Sequence, residues 1–175
     1  MDTSVYRLVQ KNIVVFRAID IFDQNGQQSS NGFEVEVRGR AGQRLTVFGN
    51  YGFSDAQFDD FISDGVDLRG NVPAFAPRHT ARLWGTYEFP RGIGVSLGSR
   101  YVGQRAIDAF NQLFLGGYTI WDAGLYYRLS KMEYSVNVHN LFNKTNYFVS
   151  SIVFNSVQLY PGQPAKVIAT ARYRF

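Results

Sequence analysis

The sequence ends in Lys166-Val-Ile-Ala-Thr-Ala-Arg-Tyr-Arg-Phe175, a stretch in which apolar and polar residues alternate. One face collects the apolar residues: Val167, Ala169, Ala171, Tyr173 and Phe175. The other face collects Lys166, Thr170, Arg172 and Arg174, and Ile168 is its one apolar member. Because successive side chains of a β-strand point to opposite faces, this alternation predicts a strand with one apolar and one polar face.

The same period of two recurs through most of the chain. Alternating segments lie at 33–40, 45–54, 78–89, 93–101, 118–129 and 132–141, whereas a first segment around 3–16 alternates poorly. With the terminal strand, about eight strands of about 10–13 residues are predicted. Soluble strands usually have about 5–6 residues, whereas a tilted membrane-spanning strand needs about 9–11. The lengths therefore favour a transmembrane sheet.

Short and long connections alternate along the chain. The short ones are predicted at 41–43, 90–92 and 130–131, and the long ones at 17–28, 55–77, 104–117 and 142–163. Outer-membrane barrels have tight periplasmic turns and longer extracellular loops. The pattern therefore predicts an outer-membrane barrel whose C-terminus is periplasmic.

The composition excludes several classes of protein. Aromatic residues make up 16% of the 175 residues, charged residues 18%, and mean hydropathy is −0.18, which is typical neither of disorder nor of a helical membrane protein. There is no cysteine, so a disulfide framework and Cys-ligated metals are excluded. Basic residues are scattered, which argues against nucleic-acid binding. A soluble β-sandwich and an independent, closed eight-stranded barrel remain as alternatives.

The N-terminus, Met1-Asp-Thr-Ser-Val-Tyr6, has no basic and no apolar signal-peptide region. We therefore expect either a fragment or a reading frame begun at an internal Met.

Five stretches in fixed order resemble a known family. They are Asn71-Val-Pro-Ala-Phe-Ala-Pro-Arg-His-Thr-Ala-Arg-Leu-Trp84, Arg100-Tyr-Val-Gly103, Gly117-Tyr-Thr-Ile-Trp-Asp122, Asn137-Val-His-Asn-Leu-Phe-Asn-Lys-Thr-Asn-Tyr147 and Pro161-Gly-Gln-Pro-Ala-Lys-Val167. Over about residues 29–175 the chain resembles the siderophore-receptor branch of the TonB-dependent receptors. Ala165 stands where that family usually has Arg.

The resemblance implies an all-β, antiparallel up-and-down transmembrane β-barrel. Residues 1–175 would supply about eight C-terminal strands of a barrel of about 22, and the plug domain would be absent. The implied function is TonB-dependent uptake of ferric siderophores. The residues themselves offer no catalytic constellation, so we expect no enzymatic activity and no cofactor. The implied partners are outer-membrane lipid, the TonB energy-coupling complex, a ferric siderophore and the barrel-assembly machinery. Ala171, Tyr173 and Phe175 resemble the sorting signal that this machinery recognises.

Aromatic residues in the long connections are the candidate ligand site, since a bulky, partly apolar chelate binds well between aromatic side chains and polar anchors. We select Phe110, Phe114, Phe154 and Tyr160 as candidates; loop packing is the alternative. The wider set also contains Phe58, Phe61, Phe75, Tyr147 and Phe148.

Charged and titratable residues offer weaker candidates. Five aspartates in one connection, Asp55, Asp59, Asp60, Asp64 and Asp67, predict a solvated acidic loop more than a calcium site. His79 and His139 have no metal-ligand spacing and are expected to be structural. Six charges on the polar faces are expected to form cross-strand pairs: Glu34, Glu36, Arg38, Arg40, Arg82 and Arg100.

Overall fold

The computed structural model describes residues 1–18, 21–153 and 156–175. These residues form strands and connections, with a single 3-10 turn at Pro90–Gly92. In chain order the strands are β1 (Asp2–Ala18), β2 (Ile21–Ala41), β3 (Leu45–Asp60), β4 (Ile62–Ser63), β5 (Val66–Asp67), β6 (His79–Glu88), β7 (Ile93–Val102), β8 (Arg105–Ala106), β9 (Phe114–Leu115), β10 (Tyr118–Arg128), β11 (Met132–His139), β12 (Phe148–Val153), β13 (Ser156–Pro161) and β14 (Lys166–Tyr173).

Eight of these strands form one antiparallel sheet in the order β1-β2-β3-β6-β7-β10-β11-β14. Spatial order equals chain order, which confirms the predicted up-and-down topology. The remaining strands pair as three hairpins, β4–β5, β8–β9 and β12–β13. Within the described ranges β1 and β14 are edge strands that do not pair with each other. The closed eight-stranded barrel and the two-sheet sandwich are therefore both wrong for this chain.

The two ends of the sheet differ as predicted. Tight connections join β2 to β3, β6 to β7 and β10 to β11 at one end, which we call the turn end. The opposite end, the loop end, carries the connections 61–78, 103–117 and 140–165, each of which contains one of the hairpins.

The predicted loop at 17–28 is wrong. Ile21–Gln28 belongs to β2 and pairs with β1, so these two strands have 21 and 17 residues. Hydrophobic alternation reports contact with an apolar environment, whereas backbone pairing does not require it, and residues 21–28 pair with β1 although their sequence does not alternate. A register shift between Gln10 and Ile13, where Asn12 has a φ of 59°, also breaks the alternation of β1. The expected 10–13 residues are too few for these strands and too many for β11 and β14, which have 8 each.

The sheet has one apolar face that is exposed. Leu83, Leu97 and Leu125 lie on it with exposures of 55%, 50% and 52%, although large apolar side chains are normally buried in soluble proteins. Their alternate neighbours, such as Arg82 and Ser96, lie on the opposite, polar face. No helix among the described residues is both long and apolar enough to cross a membrane.

The expected cross-strand pairing of the six polar-face charges is wrong where it can be checked. Arg82 lies directly opposite Arg100, a like charge. Arg38 contacts Glu36 at 3.7 Å, but both are on β2. Cross-strand pairs occur instead at the turn end, where Arg128 contacts Glu133 at 2.8 Å and Glu88 at 3.4 Å.

Among the described residues, the buried apolar side chains lie in the loop-end connections and at the loop-end termini of the strands. Those less than a tenth exposed are Phe58, Leu68, Ala106, Ile107, Ile120 and Tyr147. The loops therefore pack on one another, which holds this end of the sheet in a defined shape.

Candidate functional site

The loop-end connections begin as continuations of the sheet. Ser54 donates its backbone N–H to the Arg78 carbonyl at 3.0 Å, and Gly103 donates to the His79 carbonyl at 2.8 Å. Further along, the Phe75 N–H donates to the Ala106 carbonyl at 2.8 Å. The connections 61–78 and 103–117 are thus held side by side.

Asn111 fastens these two connections. Its side-chain oxygen accepts the N–H of Val72 at 2.8 Å, and its amide donates to the Val72 carbonyl at 2.8 Å. Asn71 reciprocates by donating to the Ala109 carbonyl at 3.0 Å. A side-chain amide can bond a backbone donor and a backbone acceptor together, so Asn111 makes the pair of hydrogen bonds that a residue of a neighbouring strand would make.

Asn140 plays the corresponding part in the third connection, 140–165. The residue is 4% exposed, and its side chain donates to the carbonyls of Lys144 and Gln163 at 2.9 and 2.8 Å and accepts the Lys144 N–H at 2.9 Å. Its own N–H donates to Asp122 at 2.8 Å. The structure thereby brings together the two C-terminal motifs at 137–147 and 161–167.

Tyr147 completes this junction. It is 6% exposed, and its ring lies so close to Gly162 that a β-carbon there would approach the ring to 1.8 Å. The ring also packs against Tyr118 with a centroid distance of 4.6 Å. Tyr147 and the equally buried Phe58 therefore serve loop packing, the alternative offered for the loop aromatics.

Arg105, on β8, is a charged residue that is 93% buried. Its Nη2 donates to the Phe148 carbonyl, and its guanidinium lies over the Tyr118 ring at 5.5 Å. Its Nη1 is buried and has no hydrogen-bond partner. No carboxylate in the described part of the chain forms an ion pair with it.

Arg105 lines a cavity of about 400 Å³ between β3, the connection 61–78 and the β8–β9 hairpin. Gln104, Arg78 and Phe114 also line it. Arg78 is already paired with Asp55 at 2.7 Å. The cavity therefore combines polar donors with an aromatic wall, the arrangement that small-molecule sites use.

The three candidate ligand residues that the structure describes lie in different surroundings. Phe114 is 49% exposed and lines the cavity beside Arg105. Phe110 is half-buried on the same connection, and Tyr160 is 50% exposed on the β12–β13 hairpin. Phe154 lies outside the described residues. Sequence analysis missed Arg105, although a lone arginine in an aromatic connection was a visible signal.

The acidic connection uses its carboxylates separately. Asp59 accepts hydrogen bonds from Ser29 at 2.8 Å and Gln27 at 3.2 Å. Asp67 accepts from the Arg69 side chain and backbone, and these bonds hold the pKa of the Asp67 carboxyl below its ordinary value. Among the described side chains, no three or more His, Cys, Asp or Glu residues are placed to hold a metal ion.

Both histidines have a polar neighbour on the sheet. The Nδ1 of His79 lies 2.7 Å from the hydroxyl of Tyr51, and its ring packs against Phe53 with a centroid distance of 5.3 Å. The Nδ1 of His139 lies 3.8 Å from a carboxylate oxygen of Asp122.

Two of the predicted sorting residues, Ala171 and Tyr173, lie on the edge strand β14, and Phe175 follows its end. Ala171 is opposite Tyr134 and Tyr173 is opposite Met132 on the apolar face, and the Tyr173 and Phe175 rings meet edge to face at 5.1 Å. Every residue of β14 is exposed.

The sequence matches the family model described as TonB dependent receptor-like, beta-barrel, over residues 1–141. It is 34% identical over 183 residues to the ferrioxamine receptor of Yersinia enterocolitica, covering 99% of this chain and 25% of the relative. It is 30% identical to the ferrichrome outer membrane transporter/phage receptor of Escherichia coli K12, covering 98% of this chain and 24% of the relative. The chain therefore spans about a quarter of the length of these relatives.

Solved structures agree on the fold. The siderophore receptor PiuA from Acinetobacter baumannii superposes with a TM-score of 0.85 at 19% identity, over 98% of this chain and 25% of that chain. The closed form of the ferric-catecholate import receptor Fiu from E. coli K12 superposes with a TM-score of 0.78 at 27% identity, over 99% of this chain and 25% of that chain. The chain belongs to the TonB-dependent receptor family, whose members are outer-membrane receptors and not enzymes, and it forms part of the β-barrel of such a protein.

Proposed function

We propose that this chain is the C-terminal part of the barrel of an outer-membrane receptor that takes up ferric siderophores with energy from the TonB complex. The observation that carries the proposal is the two-faced sheet with its packed loop end, which also holds an aromatic and cationic cavity. The names of the similar proteins, which specify ferrioxamine, ferrichrome and catecholate siderophores, support the ligand class. In this proposal the loop end is extracellular, and the turn end and C-terminus are periplasmic.

Uptake of radioactive iron tests the transport proposal. A strain without other siderophore receptors would express the longer protein containing this chain, and be supplied with ferric trihydroxamates and tricatecholates in turn. We expect uptake of at least one chelate that disappears when TonB is deleted. Residues 1–175 alone, exported with an added signal peptide, should give none. TonB-independent uptake, or uptake by the 175 residues alone, would contradict the proposal.

The aromatic candidates belong to the same proposal. Phe114, Phe110, Phe154 and Tyr160 would contact the apolar parts of the chelate, and Phe114 is the strongest of them because it lines the cavity. Phe114→Ala should weaken chelate binding by about tenfold, the effect of one well-packed aromatic contact. Phe89→Ala is the matched control, since Phe89 is 45% exposed but lies at the turn end. Equal affinities of the two variants would remove Phe114 from the site.

The terminal strand would be the segment that the barrel-assembly machinery recognises. An exposed, amphipathic edge strand can be recognised by strand addition, and β14 has this form. Phe175→Ala should lower the fraction of protein that reaches the heat-resistant, assembled state on gels. Phe142→Ala removes a 71%-exposed phenylalanine from a connection and should leave assembly unchanged. Normal assembly of the Phe175 variant would contradict a role in sorting.

A further inference from the structure

Arg105 carries a buried charge that no carboxylate among the described residues neutralises. A buried guanidinium loses hydration and is retained in folded proteins when an opposite charge or a full set of acceptors replaces the water. Arg105 has one carbonyl acceptor and one aromatic ring, while its Nη1 has neither.

Two carboxylates close in the chain to the cavity-lining residues, Asp55 and Asp108, are engaged elsewhere. Asp55 pairs with Arg78 at 2.7 Å, and Asp108 accepts the backbone N–H groups of Gln112 and Leu113 at 3.3 and 3.2 Å. The charge of Arg105 therefore remains available to a group from outside the described residues.

The position of Arg105 is fixed from one side. The Phe148 carbonyl holds Nη2, and the Tyr118 ring supports the guanidinium plane. A planar guanidinium that is already oriented loses little conformational entropy when it binds a carboxylate or phenolate oxygen, and two of its N–H groups can donate together.

The cavity beside it has the dimensions of a ligand site. Its volume of about 400 Å³ falls within the range of about 300–1,000 Å³ found for small-molecule pockets. Gln104 adds an amide, and Phe114 adds an apolar wall.

We infer that Arg105 binds a negatively charged oxygen of the ferric chelate in the loop-end cavity and so gives the receptor a preference for anionic chelates. This inference rests on the proposed function and adds a charge class to the ligand. A tricatecholate complex of iron is anionic, whereas the iron centre of a trihydroxamate is neutral. The receptor should therefore bind the tricatecholate more tightly.

The test measures binding of a ferric tricatecholate and a ferric trihydroxamate to the purified longer protein in detergent. Arg105→Gln should weaken tricatecholate binding by at least about tenfold, the usual loss when a hydrogen bond to a charged group is removed. Trihydroxamate binding should change by less than about twofold, because that chelate offers no charge to lose. Arg105→Lys keeps the charge but not the planar guanidinium, so its affinity for the tricatecholate should lie between those of the unsubstituted protein and Arg105→Gln.

The matched control is Arg69→Gln, which removes an exposed arginine that is paired with Asp67. It should bind both chelates as the unsubstituted protein does. Assembly of every variant is checked by heat modifiability. If Arg105→Gln does not assemble, the binding of the Arg105→Lys variant decides. A loss of affinity for the tricatecholate alone supports the inference, and unchanged affinity overturns it.

The remaining outcomes separate the two proposals. An unsubstituted protein that binds neither chelate overturns the proposed function. One that binds the trihydroxamate alone leaves that function standing and overturns the anionic preference. Equal losses for both chelates in the Arg105 variants also overturn the inference and give Arg105 a structural role.

Discussion

The turn end and the loop end both carry charge on or near the polar face, but they compensate it differently within the described residues: the turn end joins its charges into one network across four strands, whereas the loop end has separate pairs and one buried arginine without a carboxylate. Glu133 accepts from Arg128 at 2.8 Å and lies 3.5 Å from Arg174 and 4.0 Å from Arg172. Arg128 also reaches Glu88. This network links β6, β10, β11 and β14.

A close approach makes the network possible. Glu88 lies opposite Gly94, which lies opposite Tyr126 on the next strand. The Tyr126 ring covers Gly94, where a β-carbon would come within 2.0 Å of it, and its hydroxyl donates to Glu88 at 2.8 Å. Because Gly94 on β7 has no side chain, the side chains of Glu88 on β6 and Tyr126 on β10 can meet across it.

The loop end is built differently. Neutral amides, Asn111 and Asn140, join its connections, while its buried cation, Arg105, has no carboxylate among the described residues. The turn end therefore ties strands together with charge, whereas the loop end joins its connections with uncharged hydrogen bonds and leaves the charge of one residue, Arg105, without a carboxylate.

The largest expected effect comes from removing the Asn140 side chain. Asn140→Gly keeps a residue that tolerates the φ of 52° but leaves the Lys144 and Gln163 carbonyls without their donor. We expect the free energy of unfolding to fall by about 2–4 kcal/mol, measured by urea titration of the assembled protein, because three hydrogen bonds are lost in a buried place.

Asn143→Gly provides the matched control. Asn143 has a φ of 47° and is exposed, and its side chain accepts one hydrogen bond, from Ala165 at 2.9 Å. The Asn143→Gly substitution should lower the free energy of unfolding by no more than about 1 kcal/mol. Equal effects of the two variants would show that the loop end does not depend on the buried amide.

Asn111→Gly should have a smaller and more local effect. Asn111 also has a positive φ, 56°, so glycine preserves the backbone while the link to Val72 is lost. We expect a loss of about 1–2 kcal/mol in the local opening free energy, measured as faster hydrogen exchange at the Val72 amide. Asn71→Ala, which removes the bond to the Ala109 carbonyl, should leave the exchange rate of the Val72 amide unchanged. Faster exchange in the Asn71 variant and not in the Asn111 variant would contradict the role given to Asn111.

Much of the sheet could be predicted from the sequence because its apolar face must meet an apolar environment. The alternation of residues 166–175 and 118–129 follows from that requirement. The first part of β2 escaped prediction because its backbone pairs with β1 although its residues do not alternate. The ends of the strands also depend on backbone pairing between strands, which explains why the predicted lengths of about 10–13 residues are wrong for β1, β2, β11 and β14.

The candidate site was less accessible to sequence reasoning. Phe114 could be selected because aromatic residues in connections are conspicuous. Arg105 stood out only as the lone arginine of its connection, and its burial could not be predicted because it depends on the carbonyl of Phe148, 43 residues away. Asn140 stood in a recognised motif, but its function appears only when the fold brings Gln163, 23 residues away, to its amide.

The turn-end network should respond to a change in charge. Arg128→Gln removes the contacts with Glu88 and Glu133, as well as the position of the guanidinium over the Tyr126 ring at 4.3 Å. We expect the free energy of unfolding to fall by about 1 kcal/mol, and by less at high salt, because partly exposed ion pairs are weak and screened.

Arg38→Gln is the control for this network. Arg38 also lies over an aromatic ring, that of Phe48 at 5.5 Å, but its side chain is 74% exposed and contacts Glu36 at 3.7 Å on its own strand. Its substitution should have no measurable effect. A loss equal to that of the Arg128 variant, or one independent of salt, would show that the network does not tie the strands.

The smallest expected effect concerns Asp67 on the exposed β4–β5 hairpin. Hydrogen bonds from Arg69 lower the pKa of its carboxyl, so their contribution is present above the ordinary carboxyl pKa and is lost as pH falls through the lowered value. At neutral pH the pair is therefore fully formed. Arg69→Gln should raise the Asp67 pKa toward its ordinary value in a carbon-13 NMR titration, while Arg44→Gln at the turn end should not. Because Asp67 is exposed, urea titration should detect no change in stability, and a detectable loss would mean that an exposed loop-end pair ties the structure together as the turn-end network does.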